Sequence, residues 1–128
     1  MRSSIVGSCI LSAVLSASAQ APAGPQEFPA EAQPIAAEAL AARFAGRVFK
    51  VAHANGSTWR LQYDSSGFYY VNISPSGFSD SGKWRVEGGK ICTVPQKSPA
   101  SCNEVRAVGE VLYVKREANG EVIKLEPQ

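Results

Sequence analysis

Chemistry-bearing residues are scarce in this chain. It has a single histidine, His53, and three cysteines among 128 residues. A zinc site wants four ligands; Cys92 and Cys102 with His53 make three, Cys9 lying far off in the N-terminal apolar run, so no metal is expected. No Gly-x-Ser-x-Gly elbow accompanies His53. A Ser/His/Asp arrangement with Asp64 or Asp80 therefore has arithmetic support only, and no catalytic residue is assigned. The acids Glu87, Glu104, Glu110 and Glu117 fall at expected strand ends and turns, where solvated charges belong, rather than facing each other across a cleft. No glycine leads into a helix, which removes the phosphate-cradling loops; no cofactor is expected. Charge of one sign is also lacking: 13 Lys and Arg stand against 11 Asp and Glu. That balance gives no footprint for nucleic acid and no electrostatic pull toward an anionic membrane. No apolar run reaches the ~20 residues of a membrane span.

The N-terminus supplies the first positive signal. Arg2 precedes an apolar run from Ile5 to Leu15, and Ser16-Ala17-Ser18-Ala19 follows. A charged start, a short apolar stretch and small residues at Ala17 and Ala19 are the parts of a cleavable export signal over residues 1–19, cut between Ala19 and Gln20. The run is too short for an anchor and contains Gly7, Ser8 and Ser12. Cys9 lies in its middle, which does not suit a lipoprotein. The mature chain is thus expected in a periplasm or outside the cell, with no stable membrane insertion once the signal is cut.

The remainder is long enough for one domain. Residues 20–34 carry Pro22, Pro25, Pro29 and Pro34 among alanines and glutamines, a composition expected to give a flexible arm. Residues 35–128 are expected to form a single β-rich domain. A short helix opens it: Pro34 suits a first-turn position, Ala36 to Ala42 are strong helix formers, and Gly46 suits the position just past the helix end. Ile35, Leu40 and Phe44 are its candidate buried stripe. From Arg47 the period becomes two, with Trp59, Leu61 and Tyr63 on one face and Arg60 and Gln62 on the other. Eight strands are expected: Arg47–Ala52, Thr58–Tyr63, Phe68–Ile73, Lys83–Glu87, Lys90–Val94, Cys102–Val108, Val111–Arg116 and Glu121–Leu125. Short turns such as Asn55-Gly56, Gly88-Gly89 and Asn119-Gly120 separate them. Neighbours joined so tightly pair with each other, giving an antiparallel meander that is either a curved sheet or a small barrel.

Outside the export signal two cysteines remain, Cys92 and Cys102. In an oxidising compartment they are expected to form a disulfide that clamps the base of the loop carrying Pro95 and Pro99. The eight aromatics Trp59, Tyr63, Phe68, Tyr69, Tyr70, Phe78, Trp84 and Tyr113 serve first to fill a β core. Phe78, in a polar loop, and Tyr69, on a strand with bulky groups on both faces, are the candidates for a ligand platform. Arg60, Lys83, Arg85, Arg106 and Lys115 are expected on the outer face, in cross-strand ion pairs.

Ser57-Thr58-Trp59, the Tyr63-Asp64 to Gly67 turn, Gly82-Lys83-Trp84-Arg85-Val86, then Gly89-Lys90-Ile91-Cys92 and Cys102 occur in that order. The order resembles a group of small exported proteobacterial proteins classed as domains of unknown function. The resemblance implies a secreted β-rich domain and carries no activity. The functional expectation is a non-enzymatic module that binds a protein or a cell-envelope component. A small barrel carrying an apolar ligand is the second reading, and a hydrolase the third.

Overall fold

The structure, a computed structural model, describes residues 24–128. The expected export signal and its cut between Ala19 and Gln20 lie outside the described residues. The chain runs β1 (Gln33–Pro34), α1 (Ala37–Phe44), β2 (Arg47–Ala52), β3 (Thr58–Tyr63), β4 (Phe68–Ser74), β5 (Ser79–Glu87), β6 (Lys90–Pro95), β7 (Ser101–Val108), β8 (Val111–Lys115) and β9 (Val122–Pro127). Strands β2 to β9 form an antiparallel meander, and β9 pairs back onto β2 to close it. Of the two architectures the sequence allows, the molecule adopts the closed eight-stranded barrel. The closing seam is short, with Phe49 opposite Pro127 and Lys50 opposite Glu126. Every other ladder of the barrel wall joins strands that are neighbours in sequence.

Alternation sends one set of side chains inward. Phe49 and Val51 from β2, Leu61 and Tyr63 from β3, Tyr69 and Val71 from β4, and Leu112 and Val114 from β8 are all buried. Burying this apolar set is the main force that closes the barrel. Gly82 of the Gly-x-Trp-x-Val stretch has a packing reason: a Cβ there would fall on the Val94 carbonyl oxygen across the β5–β6 ladder.

A meander places its connections alternately at two ends. One end holds the turns 64–67, 88–89 and 109–110, and α1 closes it. Leu40 and Phe44 of the helix are fully buried. The Phe44 ring meets Tyr63 edge-on at 4.9 Å, Phe49 at 5.7 Å and Trp84 at 6.4 Å between centroids. Arg43 donates to the Gly109 carbonyl at 2.6 Å and Trp84 to that of Asp64 at 2.8 Å, tying the plug to the turns around it. Gly46 follows the helix with φ 71°, a left-handed turn suited to glycine, and donates to the Tyr63 carbonyl.

The flexible arm expected over residues 20–34 needs correction over its described part. The Pro25 carbonyl accepts from Val122 N–H at 2.7 Å, Ala32 is buried, and Gln33 and Pro34 pair with Ala107 and Arg106 of β7. The Phe28 ring lies 4.4 Å from the Arg106 guanidinium. The reason is an unpaired edge: β6 accompanies β7 only as far as Glu104, and β1 takes up the strand beyond it. Proline is tolerated there because an edge residue need not donate. Pro34 therefore ends a strand instead of starting the helix.

Candidate functional site

The other end of the barrel carries the connections 53–57, 75–78, 96–100 and 116–121, and here the interior is not filled. A cavity of about 350 Å³ runs inward from this mouth. Its walls are Trp59, Leu61, Tyr69, Val71, Ile91 and Val114, with Ile73 and Phe78 nearer the rim. Protein interiors rarely hold voids larger than a water molecule, so this volume is a feature of the barrel. It falls within the span of small-molecule sites. Tyr69 and Phe78, the two aromatics singled out in the sequence, both line it. Tyr69 is buried and Phe78 is 40% exposed at the rim. Burial pushes the Tyr69 phenol up to about 12; the nearby Asp80 charge adds to the rise and that of Arg116 opposes it. The ring thus faces the cavity as a neutral phenol.

Asp80, which the sequence offered only as a triad member, organises the mouth. Its carboxylate accepts from the N–H groups of Ser81, Gln96 and Lys97 at 2.8–3.2 Å and from the Ser98 hydroxyl at 3.1 Å. Desolvation works to raise its pKa, but these hydrogen bonds outweigh it, and Asp80 titrates below the usual aspartate range. The signal was available: a short acid beside a loop readily takes backbone N–H groups. A lowered folded-state pKa means that the contribution is complete above the unfolded value, near pH 4, and is lost as pH falls through the folded one. Acidification below about pH 4 is expected to lower the protection of the Gln96 and Lys97 amides, measured against their intrinsic exchange rates at the same pH. An Asp80→Asn variant should show fast exchange there at neutral pH already. Unchanged exchange in that variant would remove Asp80 from this role.

His53 stands at the same rim. Its Nδ1 lies 3.0 Å from Glu121 Oε1 and its ring 4.0 Å from that of Trp59. Burial lowers its pKa, Glu121 opposes this and Arg116 reinforces it, so the ring is neutral and Nδ1–H donates to the carboxylate. Nε2 is the one buried side-chain polar atom without a hydrogen-bond partner among the described residues. Among the described residues no hydroxyl bonds it; the partners seen at His53 are the Glu121 carboxylate and the Trp59 ring.

The disulfide joins Cys92 to Cys102, which sit directly opposite on β6 and β7 with Cα atoms 4.0 Å apart. It clamps the base of the 96–100 loop, as expected. Glu87 approaches both sulfurs, but bonded sulfurs are not available to a metal. On the outer face Phe68, Tyr70 and Val94 are exposed and border a groove of about 720 Å³ with Lys83 and Pro95. The expected cross-strand ion pairs need correction. Arg85–Glu87, Arg106–Glu104 and Lys124–Glu126 are each two residues apart on one strand. Period two puts such residues on the same face, close enough for long side chains to meet.

No family model, no curated protein and no solved structure matches the chain. Among the described residues, no helix is long and apolar enough to cross a membrane.

Proposed function

We propose that the protein is an exported, non-enzymatic barrel that binds a small, mainly apolar molecule in its open mouth. One observation carries this reading: the barrel is plugged by aromatic packing at the helix end yet left unfilled over about 350 Å³ at the other. An eight-stranded barrel is wide enough either to be filled by its own side chains or to hold one small ligand. Here the sequence spends Phe44, Phe49, Tyr63 and Trp84 on the plug and turns Phe68 and Tyr70 outward. The mouth keeps an apolar wall with Trp59 and Tyr69 as flat surfaces. The disulfide and Asp80 hold two sides of the 96–100 loop, which preorganises the opening and lowers the ordering cost of binding. The export signal and the disulfide support a periplasmic or secreted setting. The outer groove at Phe68, Tyr70 and Val94 supports a second reading, contact with a protein or envelope component, because exposed apolar patches of this kind mark interaction surfaces.

A neutral hydrophobic dye, N-phenyl-1-naphthylamine, tests the first reading. It is expected to bind saturably at micromolar concentration, with enhanced emission and quenching of Trp59. Ile73→Trp, which fills the rim, should weaken binding at least about tenfold, equivalent to ~1.4 kcal/mol. Tyr70→Ser on the outer groove should leave it intact. A dye that responds to Tyr70→Ser and ignores Ile73→Trp would move the site to the outer face.

A further inference from the structure

Resting on the cavity reading above, we propose that the ligand is an amphipathic monoanion, with an apolar body in the barrel and a carboxylate-like head group paired with Arg116 at the mouth. Two charged residues line the cavity, Arg116 and Glu117. Glu117 is committed elsewhere: its carboxylate accepts from Cys102 N–H at 2.9 Å and its own N–H donates to Asn103 Oδ1 at 2.9 Å. Glu121, the other acid at this rim, is held by His53 and packs beside Gly24, outside the cavity wall. Arg116 is different. Among the described residues it takes part in no ion pair. Its guanidinium lies 5.1 Å from the Trp59 ring, so the aromatic positions the cation over the mouth. Contact with the ring consumes none of the guanidinium N–H donors, and that planar fork matches a carboxylate with two parallel hydrogen bonds. The charge acts on the interior as well as the rim, since it opposes the rise of the Tyr69 phenol.

A cation at the neck of an apolar cavity loses hydration as the cavity fills, and a neutral ligand would leave it uncompensated. An anion restores the balance; a cationic head group meets repulsion. The size of the body follows from the volume. At about 30 Å³ per water, 350 Å³ holds about a dozen water volumes, the bulk of a medium-chain fatty acid or a one- or two-ring aromatic acid. Asn103 lies on the same wall, and its Nδ2 amide, which donates only to the Ser101 hydroxyl at 3.4 Å, has a second N–H to offer the head group.

Three probes of one chain length isolate the head group: octanoate, 1-octanol and octylammonium, each displacing N-phenyl-1-naphthylamine at pH 7.5 from the oxidised protein. Octanoate is expected to displace at about tenfold lower concentration than octanol, and octylammonium to be weakest. The octanoate advantage should shrink as salt rises. Arg116→Gln should bring the octanoate-to-octanol ratio close to one, and Arg116→Lys should keep part of it. Lys115→Gln makes the same charge change on the neighbouring, outward-alternating position and should keep the ratio. Equal displacement by all three probes from a dye-loaded barrel overturns the anion assignment and leaves the cavity reading standing. Preference for octylammonium overturns it in favour of Glu117. A ratio that Lys115→Gln erases as fully as Arg116→Gln overturns the pairing with Arg116. A dye that never binds removes the cavity reading, and this inference with it.

Discussion

Phe44→Ala is expected to lower the unfolding free energy by about 3–5 kcal/mol, the range for removing a large aromatic from a packed core. Phe44 is completely buried, and its ring touches three other aromatics that close the barrel end. Truncation leaves a hole that those rings cannot readily collapse into, because Phe49 and Tyr63 sit on ladders whose register is fixed. For a domain of this length each kcal/mol moves the melting temperature by about 4–8 °C, so a fall of more than 10 °C is expected. Trp84 should report the loss, since its ring packs on Tyr63 at 5.8 Å and tilts against Phe44. Phe68→Ala, on a ring 46% exposed, is the control and should change stability by no more than about 0.5 kcal/mol. Urea and thermal melts followed by near-ultraviolet dichroism measure both. A Phe44→Ala protein that melts within 1 kcal/mol of its parent, a limit well below the usual range, would show that α1 rests on the barrel without plugging it.

Reducing the Cys92–Cys102 bond should remove about 3 kcal/mol, the chain-entropy value for a loop of this length. The unfolded chain then regains the freedom of the segment from Thr93 to Ser101, while the folded hairpin loses the clamp at its base. A Cys92→Ser/Cys102→Ser variant should melt lower and keep its β spectrum, because the inward face of β2, β3, β4 and β8 is untouched. Its mouth should also be looser, with Asp80 left as the main restraint on residues 96–98. Intact mass of the purified, unreduced protein tests chain start and bond together. The expected mass begins at Gln20 and is 2 Da below the dithiol form, the two hydrogens lost on disulfide formation. Free thiols would sink the disulfide, and a retained leader would sink the export reading.

The meander was legible because turn glycines and inward aromatics recur at the right intervals. Thr58–Tyr63 is the clearest case: Trp59, Leu61 and Tyr63 alternate with polar residues, and the observed strand has the same limits. The start of β5 was less legible. Ser79-Asp80-Ser81-Gly82 has the composition of a loop, yet it pairs with β4 from Asn72 to Tyr69. Tertiary pairing overrides weak β propensity there. Closure was not legible at all, since β2 and β9 meet through two residue pairs set by strand tilt and stagger around the whole barrel. The disulfide could be read from compartment and spacing alone. The cavity could not: counting aromatics predicts a filled core, and only the fold shows which of them go to the plug, the rim and the outside. Arg116 looked like the end of a strand, and its position over Trp59 depends on the β8–β9 loop turning back across the mouth.

The short β2–β9 seam also governs how the barrel comes together and where it breathes. Seven of its eight ladders are hairpins, each able to form soon after its own turn. The eighth joins Phe49 to Pro127 and gains nothing until the other registers are right. Closure is therefore the late, non-local step that sets the pace of folding. The same two pairs are the thinnest part of the finished wall, so the cheapest excursion from the native state unzips β9 from β2. Such an opening bares two strand edges and the flank of the core at once. The hold of Pro25 on Val122, at the head of β9, covers part of the strand edge that such an opening would offer to a second copy of the chain.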